Sequence, residues 1–158
     1  MSDNIKTLRS TIGNVLEQHG FQVGPQKERI AWYRSHPDTV LVFDLQKSDY
    51  GGQYFGNLGV CLKSIYPSEF PREELCHLRL RLDRLVPDRE RVLSLLDLEE
   101  QSVQGEARAR LLADLITNVA VPWFDKFRTA ESLTQELSKS ELLMNRSTIQ
   151  LKRALKVA

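Results

Sequence analysis

Cys76-His77-Leu78-Arg79-Leu80-Arg81-Leu82-Asp83 alternates apolar and polar side chains without a break. Successive side chains of a strand point to opposite faces, so this period assigns Leu78, Leu80 and Leu82 to a core. His77, Arg79, Arg81 and Asp83 then point outward. A strand with one dry and one wet face belongs to an antiparallel sheet whose two sides differ, and that reading orders the rest of the chain.

Working upstream, Ile30-Ala31-Trp32-Tyr33 and Thr39 to Leu45 are β-branched and aromatic runs parted by Ser35-His36-Pro37-Asp38, the pattern of a hairpin. Val40 to Phe43 is apolar at every position, which suits a strand in the middle of a sheet. Asp49-Tyr50-Gly51-Gly52 makes the next turn. Alternation then sets Tyr54, Gly56, Leu58, Val60 and Leu62 inward and Phe55, Asn57, Gly59 and Cys61 outward. Four strands, over residues 29–34, 39–47, 53–63 and 76–83, are expected to form an antiparallel meander.

Helical spacing flanks the sheet on both sides. Ile5, Leu8, Ile12, Val15 and Leu16 recur at intervals of three and four, with Ser2, Asp3 or Asn4 to cap the helix and Gly20 to stop it. Downstream, Pro87-Asp88 starts a short helix containing Val92, Leu95 and Leu96. A longer helix from Gly105 carries Leu111, Leu112, Leu115, Ile116 and Val119, and Pro122 is expected to end or bend it before Trp123, Phe124 and Phe127. Thr129 caps a further helix holding Leu133 and Leu137. The expectation is an α+β fold of one domain over residues 1–144, with Leu111, Leu115, Val119 and Trp123 packing on one sheet face. A basic tail over residues 145–158 is read as helical from Ile149, Leu151 and Leu155.

The composition limits the partners. Of 158 residues, 41% are hydrophobic and 27% charged, the profile of a globular chain that buries its own core. Lys and Arg number 22 against 21 Asp and Glu, so the net charge of +1 gives no general attraction to nucleic acid or anionic membrane. No apolar run reaches the ~18 to 20 residues of a membrane span. The start of the chain has no signal-like basic and apolar segments, and two cysteines make no disulfide framework, so a cytoplasmic location is expected.

The outward face of the sheet supplies the candidate binding set: Gln46, Lys47, Asn57, His77, Arg79 and Arg81. The plainer account makes the arginines solubilising residues on a wet strand and gives Asn57 a backbone partner. No metal is expected, because His77, Cys76 and Cys61 lack the second ligand pair that completes a tetrahedral shell. By alternation Cys76 points with the leucines and Cys61 with Phe55, so the two thiols are expected on opposite faces. Neither a nucleophile elbow nor a phosphate loop is present, and no cofactor is implied. Asp44 and Asp49 could pair as acid and base, although nothing in the sequence brings them together, and Asp44 is read as a turn or lysine partner. Phe55 and Tyr33 could stack bases, but the motifs and element order of RNA modules are missing, so nucleic acid is disfavoured.

Leu45-Gln46-Lys47-Ser48, Gly51-Gly52-Gln53-Tyr54-Phe55, Asn57-Leu58-Gly59-Val60, the alternating segment above and Val121-Pro122-Trp123-Phe124 together resemble a bacterial family of domains of unknown function. That family is typified by a Leu-Gln-Lys-Ser segment leading into an aromatic strand with Asn-Leu-Gly. The likeness covers residues 5 to 137 and implies a small cytoplasmic protein of helix, meander and helices. It carries no activity or catalytic residue with it. Gly56 departs from the pattern, standing where a larger β-branched residue is usual.

Two functional classes follow. The first is a non-enzymatic domain that binds another protein, of the immunity or antitoxin type, suggested by a rigid polar sheet face with no catalytic constellation. The alternative is a small hydrolase or transferase with its site on the open face, using His77 as acid or base and Arg79 to hold an anion.

Overall fold

The computed structural model describes residues 4–157. Helix α1, Ile5–Gln18, opens with a capping box in which the Asn4 side chain accepts from the Thr7 amide and the Thr7 hydroxyl accepts from the Asn4 amide. The alternative caps Ser2 and Asp3 lie outside the described residues. Gly20, at φ +86°, supplies the left-handed turn, and the Phe21 amide reaches back to the Leu16 carbonyl.

The sheet has five strands, not four: β1 Gln22–Val23, β2 Ile30–Ser35, β3 Thr39–Lys47, β4 Tyr54–Leu62 and β5 Leu78–Arg81, in spatial order β1-β2-β3-β4-β5, with every pair antiparallel. The added strand is only two residues long, too short to show a period. Apolar β3 is the central strand, as its sequence required. Leu41, Phe43, Leu58, Val60, Leu78, Leu80 and Leu82 all enter the larger core, so the inward assignment of β4 and β5 is correct.

Helices cover that face. α2 is Arg89–Leu95 and α3 is Gly105–Leu115; the latter continues through a π turn, Ile116–Ala120, into α4, Val121–Asp125. The Val121 amide bonds to the Ile116 carbonyl, and this widened turn lets the helix pass Pro122. The buried stripe is Leu112, Ile116 and Ala120, followed by Trp123 and Phe124. It is rotated from the expected one: Leu115 and Val119 flank the core, and Leu111 faces a groove shared with Val92 of α2. α5, Ala130–Lys139, starts at a Thr129 capping box, and its Ala130 amide also bonds to Asp38 of the β2–β3 turn at 2.8 Å.

Beyond α6, Glu141–Asn145, the chain returns to the sheet. Ser147 bridges to Leu78, the Thr148 amide donates to the His77 carbonyl at 2.8 Å, and α7, Ile149–Leu155, buries Leu151 in the core. The outer edge of β5 is thereby covered, which removes an unpaired strand edge.

The second face is not simply wet. Residues 63–76 cross it, with a 3₁₀ turn at Glu73–Leu75, and enclose a smaller core of Ala31, Tyr33, Val40, Val42, Cys61 and Cys76 against Phe70. Tyr33 and Phe70 meet edge to face at 5.2 Å. Gly59 makes room for this crossing, since a Cβ there would lie 2.8 Å from Cys76 Sγ.

Three sequence expectations fail around β5 for one reason. The regular strand spans only 78–81, and a 3₁₀ turn lies on each side of it, so alternation does not extend to residues 76, 77 and 83. Cys76 shares the second-face core with Cys61 instead of opposing it, and both are free thiols. His77 is buried, and Asp83 is buried between Arg81 and Arg89 at 3.0 and 2.9 Å.

Candidate functional site

Where the crossing segment stops short, the second face opens into a cleft of about 640 Å³. Its floor is set by strand register: Asp44 of β3 lies opposite Asn57 of β4, which in turn lies opposite Arg81 of β5. Gln46 follows two residues along β3 and projects from the same face. The Asn57 amide nitrogen donates to Asp44 Oδ2 at 3.2 Å and to Gln46 Oε1 at 2.9 Å, binding the three side chains into one row.

The walls are ion pairs. Glu73, only 5% exposed, receives Arg79 through Nε at 3.0 Å and Nη2 at 3.1 Å. Opposite, Arg29 grips Glu74 with a second fork at 2.6 and 2.8 Å, and Arg72 stands 3.8 Å from the same carboxylate. Paired forks of this kind hold the planes of both groups fixed. Four carboxylates (Glu28, Asp44, Glu73 and Glu74) and four basic side chains (Arg29, Lys47, Arg72 and Arg79) line the cleft, so it is polar without a net sign.

The carboxylates are tuned differently. Burial raises Asp44, with the Asn57 hydrogen bond and then Arg29 opposing it. Burial also raises Glu73, against the opposing pull of Arg79. Glu74 is held down to about 2, chiefly by its hydrogen bond from Arg29. Asp44 differs from both neighbours in having no ion-pair partner among the described residues.

Of the residues expected from sequence, Gln46, Lys47, Asn57 and Arg79 line this cleft. Lys47 curls toward the Ser48 carbonyl at 3.3 Å. Arg81 lies in an adjoining depression, bounded by Arg146 and Ser147, where its guanidinium stacks 4.0 Å above the Phe55 ring. His77 is not part of the site. Its ring is 5% exposed, and Nδ1 accepts from the Leu62 amide at 2.9 Å, closing the end of the β4–β5 ladder.

Asp44, read from the sequence as a turn or lysine partner, instead sits within β3 and accepts from Asn57, and its parity with Gln46 puts it on this face. Sequence reasoning missed Arg29, Arg72, Glu73 and Glu74, which lie outside any strand and give no periodic signal. The two thiols lie in the small core below the cleft. Cys76, and then His77, draw Cys61 down against its burial, while Cys61 and burial push Cys76 up.

Among the described residues no group of three or more His, Cys, Asp or Glu is arranged to hold a metal. None of their helices is long and apolar enough to cross a membrane. Comparison with curated proteins and with solved structures finds no match. A family model for a domain of unknown function, DUF4304, matches residues 12–126, most of the helix, sheet and helix arrangement described above, and the chain belongs to that family.

Proposed function

We propose that the chain is a binding domain that receives a segment of another protein in the second-face cleft. The observation that carries this reading is the pair of Arg–Glu forks, Arg79–Glu73 and Arg29–Glu74, standing on either side of the Asp44–Asn57–Gln46 row. Charges that hold one another in place lose little freedom when a partner docks, and a concave surface with alternating signs recognises a polar segment rather than an apolar one. An immunity or antitoxin role is the specific form of this reading, with the partner a toxin held stoichiometrically.

The hydrolase or transferase alternative is less well supported. Its acid or base, His77, is buried at the end of the β4–β5 ladder against the Leu62 amide, and Arg79, its anion holder, is already engaged by Glu73. Geometry has to be met before any proton transfer is assigned.

The test is placement of a photo-crosslinking side chain at Lys47, with a control at exposed Arg110 on α3, in cells of the native host. The expected result is a polypeptide adduct from the Lys47 position alone. Gln46→Ala with Lys47→Ala should then weaken calorimetric affinity for that polypeptide at least tenfold while leaving the unfolding free energy within about 0.5 kcal/mol of the parent. Equal adducts from both positions, or an unchanged affinity, would overturn the assignment.

A further inference from the structure

Among the described charged groups that line the cleft, Asp44 is the one that is partly buried without an ion-pair partner. Arg29 and Arg79 both contribute to the electrostatics at Asp44, yet each is forked onto a different carboxylate, Glu74 and Glu73. Asp44 is left with a single hydrogen bond, from Asn57 to Oδ2. Asp44 Oδ1 and the side-chain oxygen of Asn57 accept no hydrogen bond among the described residues. A partly buried carboxylate is ordinarily paired, because removing it from water without compensation is costly. Here the second carboxylate oxygen is left open, and the group lines a cavity large enough to admit a long side chain.

We propose that Asp44 anchors a guanidinium group carried by the partner segment, an inference that rests on the binding reading above. Two free acceptor oxygens, one on Asp44 and one on the Asn57 amide, suit a planar donor that offers several N–H groups at fixed angles. Asn57 cannot turn over to supply donors instead, since its nitrogen is already shared between Asp44 and Gln46. The two wall forks set the selectivity. Arg29 and Arg79, each already forked onto its own carboxylate, would repel a cation that did not reach Asp44. An incoming guanidinium therefore bridges Asp44 and Asn57 between the two Arg–Glu forks that exist.

Ligation of the Asp44 carboxylate requires its charged form. The charged and titratable groups around Asp44 are Glu28 and Arg29 from the chain before β2, Tyr33 of β2, Lys47 farther along β3, Arg72, Glu73 and Glu74 of the crossing segment, and Arg79 of β5. Of these, only the carboxylates titrate in the acid range, so affinity for a guanidinium should fall as the solution is acidified toward the raised range of Asp44.

The test uses amide NMR on the full chain with three blocked tripeptides, Gly-Arg-Gly, Gly-Lys-Gly and Gly-citrulline-Gly. The expected result is saturable movement of the Asp44, Gln46 and Asn57 amides with the arginine peptide, and affinity weaker by about tenfold for citrulline, the scale of one charged hydrogen bond. Asp44→Asn keeps an oxygen for Asn57 to donate to and so preserves the row, yet it should lose the arginine preference. No saturable shift, equal binding of citrulline or lysine, or an arginine preference retained in Asp44→Asn would overturn the proposal. If the Lys47 photo-adduct persists unchanged in Asp44→Asn, the cleft still binds a protein and only the anchor is wrong. If the adduct is absent from the parent chain, it is the binding reading that has failed.

Discussion

The two faces of the sheet are built from the same strands and solve burial in different ways. On the first, Leu41, Phe43, Leu58, Val60, Leu78 and Leu80 meet helices across one continuous apolar core. On the second, Val40, Val42 and Cys61 meet a crossing segment with no long helix, and a few residues farther along the same strands Asp44, Gln46 and Asn57 are left to a polar cleft. A helix covers a long stripe because its side chains repeat every turn, while an irregular segment covers only where it touches. The uncovered part of the second face leaves the Asp44, Asn57 and Gln46 row open as the floor of the cleft.

Substitutions can test how different the faces are. The largest effect is expected from Leu80→Ala, which empties part of the first core and should destabilise the domain by about 2 to 5 kcal/mol in chemical denaturation. A loss below about 1 kcal/mol would mean that this face is packed no better than the other.

Gly59→Ala probes the second face alone. Its new methyl would meet Cys76 Sγ and Cβ at 2.8 and 3.0 Å, and Glu73 Cγ at 3.4 Å, so the crossing segment must move. Overpacking of this kind should cost about 1 to 3 kcal/mol. Hydrogen exchange should accelerate in residues 70–76 more than in α3; uniform acceleration would show that the two cores unfold as one.

Arg79→Ala separates the surface from the structural role of its guanidinium. Sequence alone treats Arg79 as a solvated side chain whose loss is nearly free. The bidentate contact to buried Glu73 predicts instead a destabilisation of about 1 to 2 kcal/mol at neutral pH, discounted because Arg79 itself is half exposed. Glu73, raised already by burial, should rise further in the variant, so the penalty should shrink on acidification as Glu73 takes up a proton. A penalty independent of pH would exclude the ion pair as its cause.

The smallest effect concerns Glu74. Its folded value of about 2 lies below its ordinary 4.5, so its pairing contributes stability above 4.5 that is lost as pH falls through about 2. Because Glu74 is 41% exposed, solvent screening should limit the contribution to about 1 kcal/mol or less. Asp44 and Glu73 carry the opposite sign: their raised values cost stability as pH rises from the ordinary range through the raised one. Comparing Glu74→Gln with the parent between pH 2 and 6 isolates the contribution of the Glu74 pairing. A difference that grows toward low pH would contradict the Arg29 pairing.

Much of the first face was readable residue by residue. Tyr54, Leu58, Val60 and Leu62 were placed by period two, and Leu8, Ile12 and Leu16 by the helical period. The candidate site was readable in part, because Gln46, Asn57 and Arg79 lie within regular strands where parity holds. His77 departs from the alternation because it lies one residue outside β5, just after a 3₁₀ turn. The full apolarity of Val40 to Phe43 was a sign of burial on both sides, but it did not say what would do the covering.

The sequence by itself determined the two-sidedness of the sheet, the central place of β3 and the helical cover of one side, because these follow from backbone geometry that repeats every two or 3.6 residues. Only the tertiary structure decided where residues 63–76 cross, and with that which charges meet. Arg29 and Glu74 are 45 positions apart, and Glu73 reaches Arg79 only because the crossing segment turns back over Gly59. An aperiodic segment finds its place by fit to a surface already formed, and no local pattern in the chain records that fit.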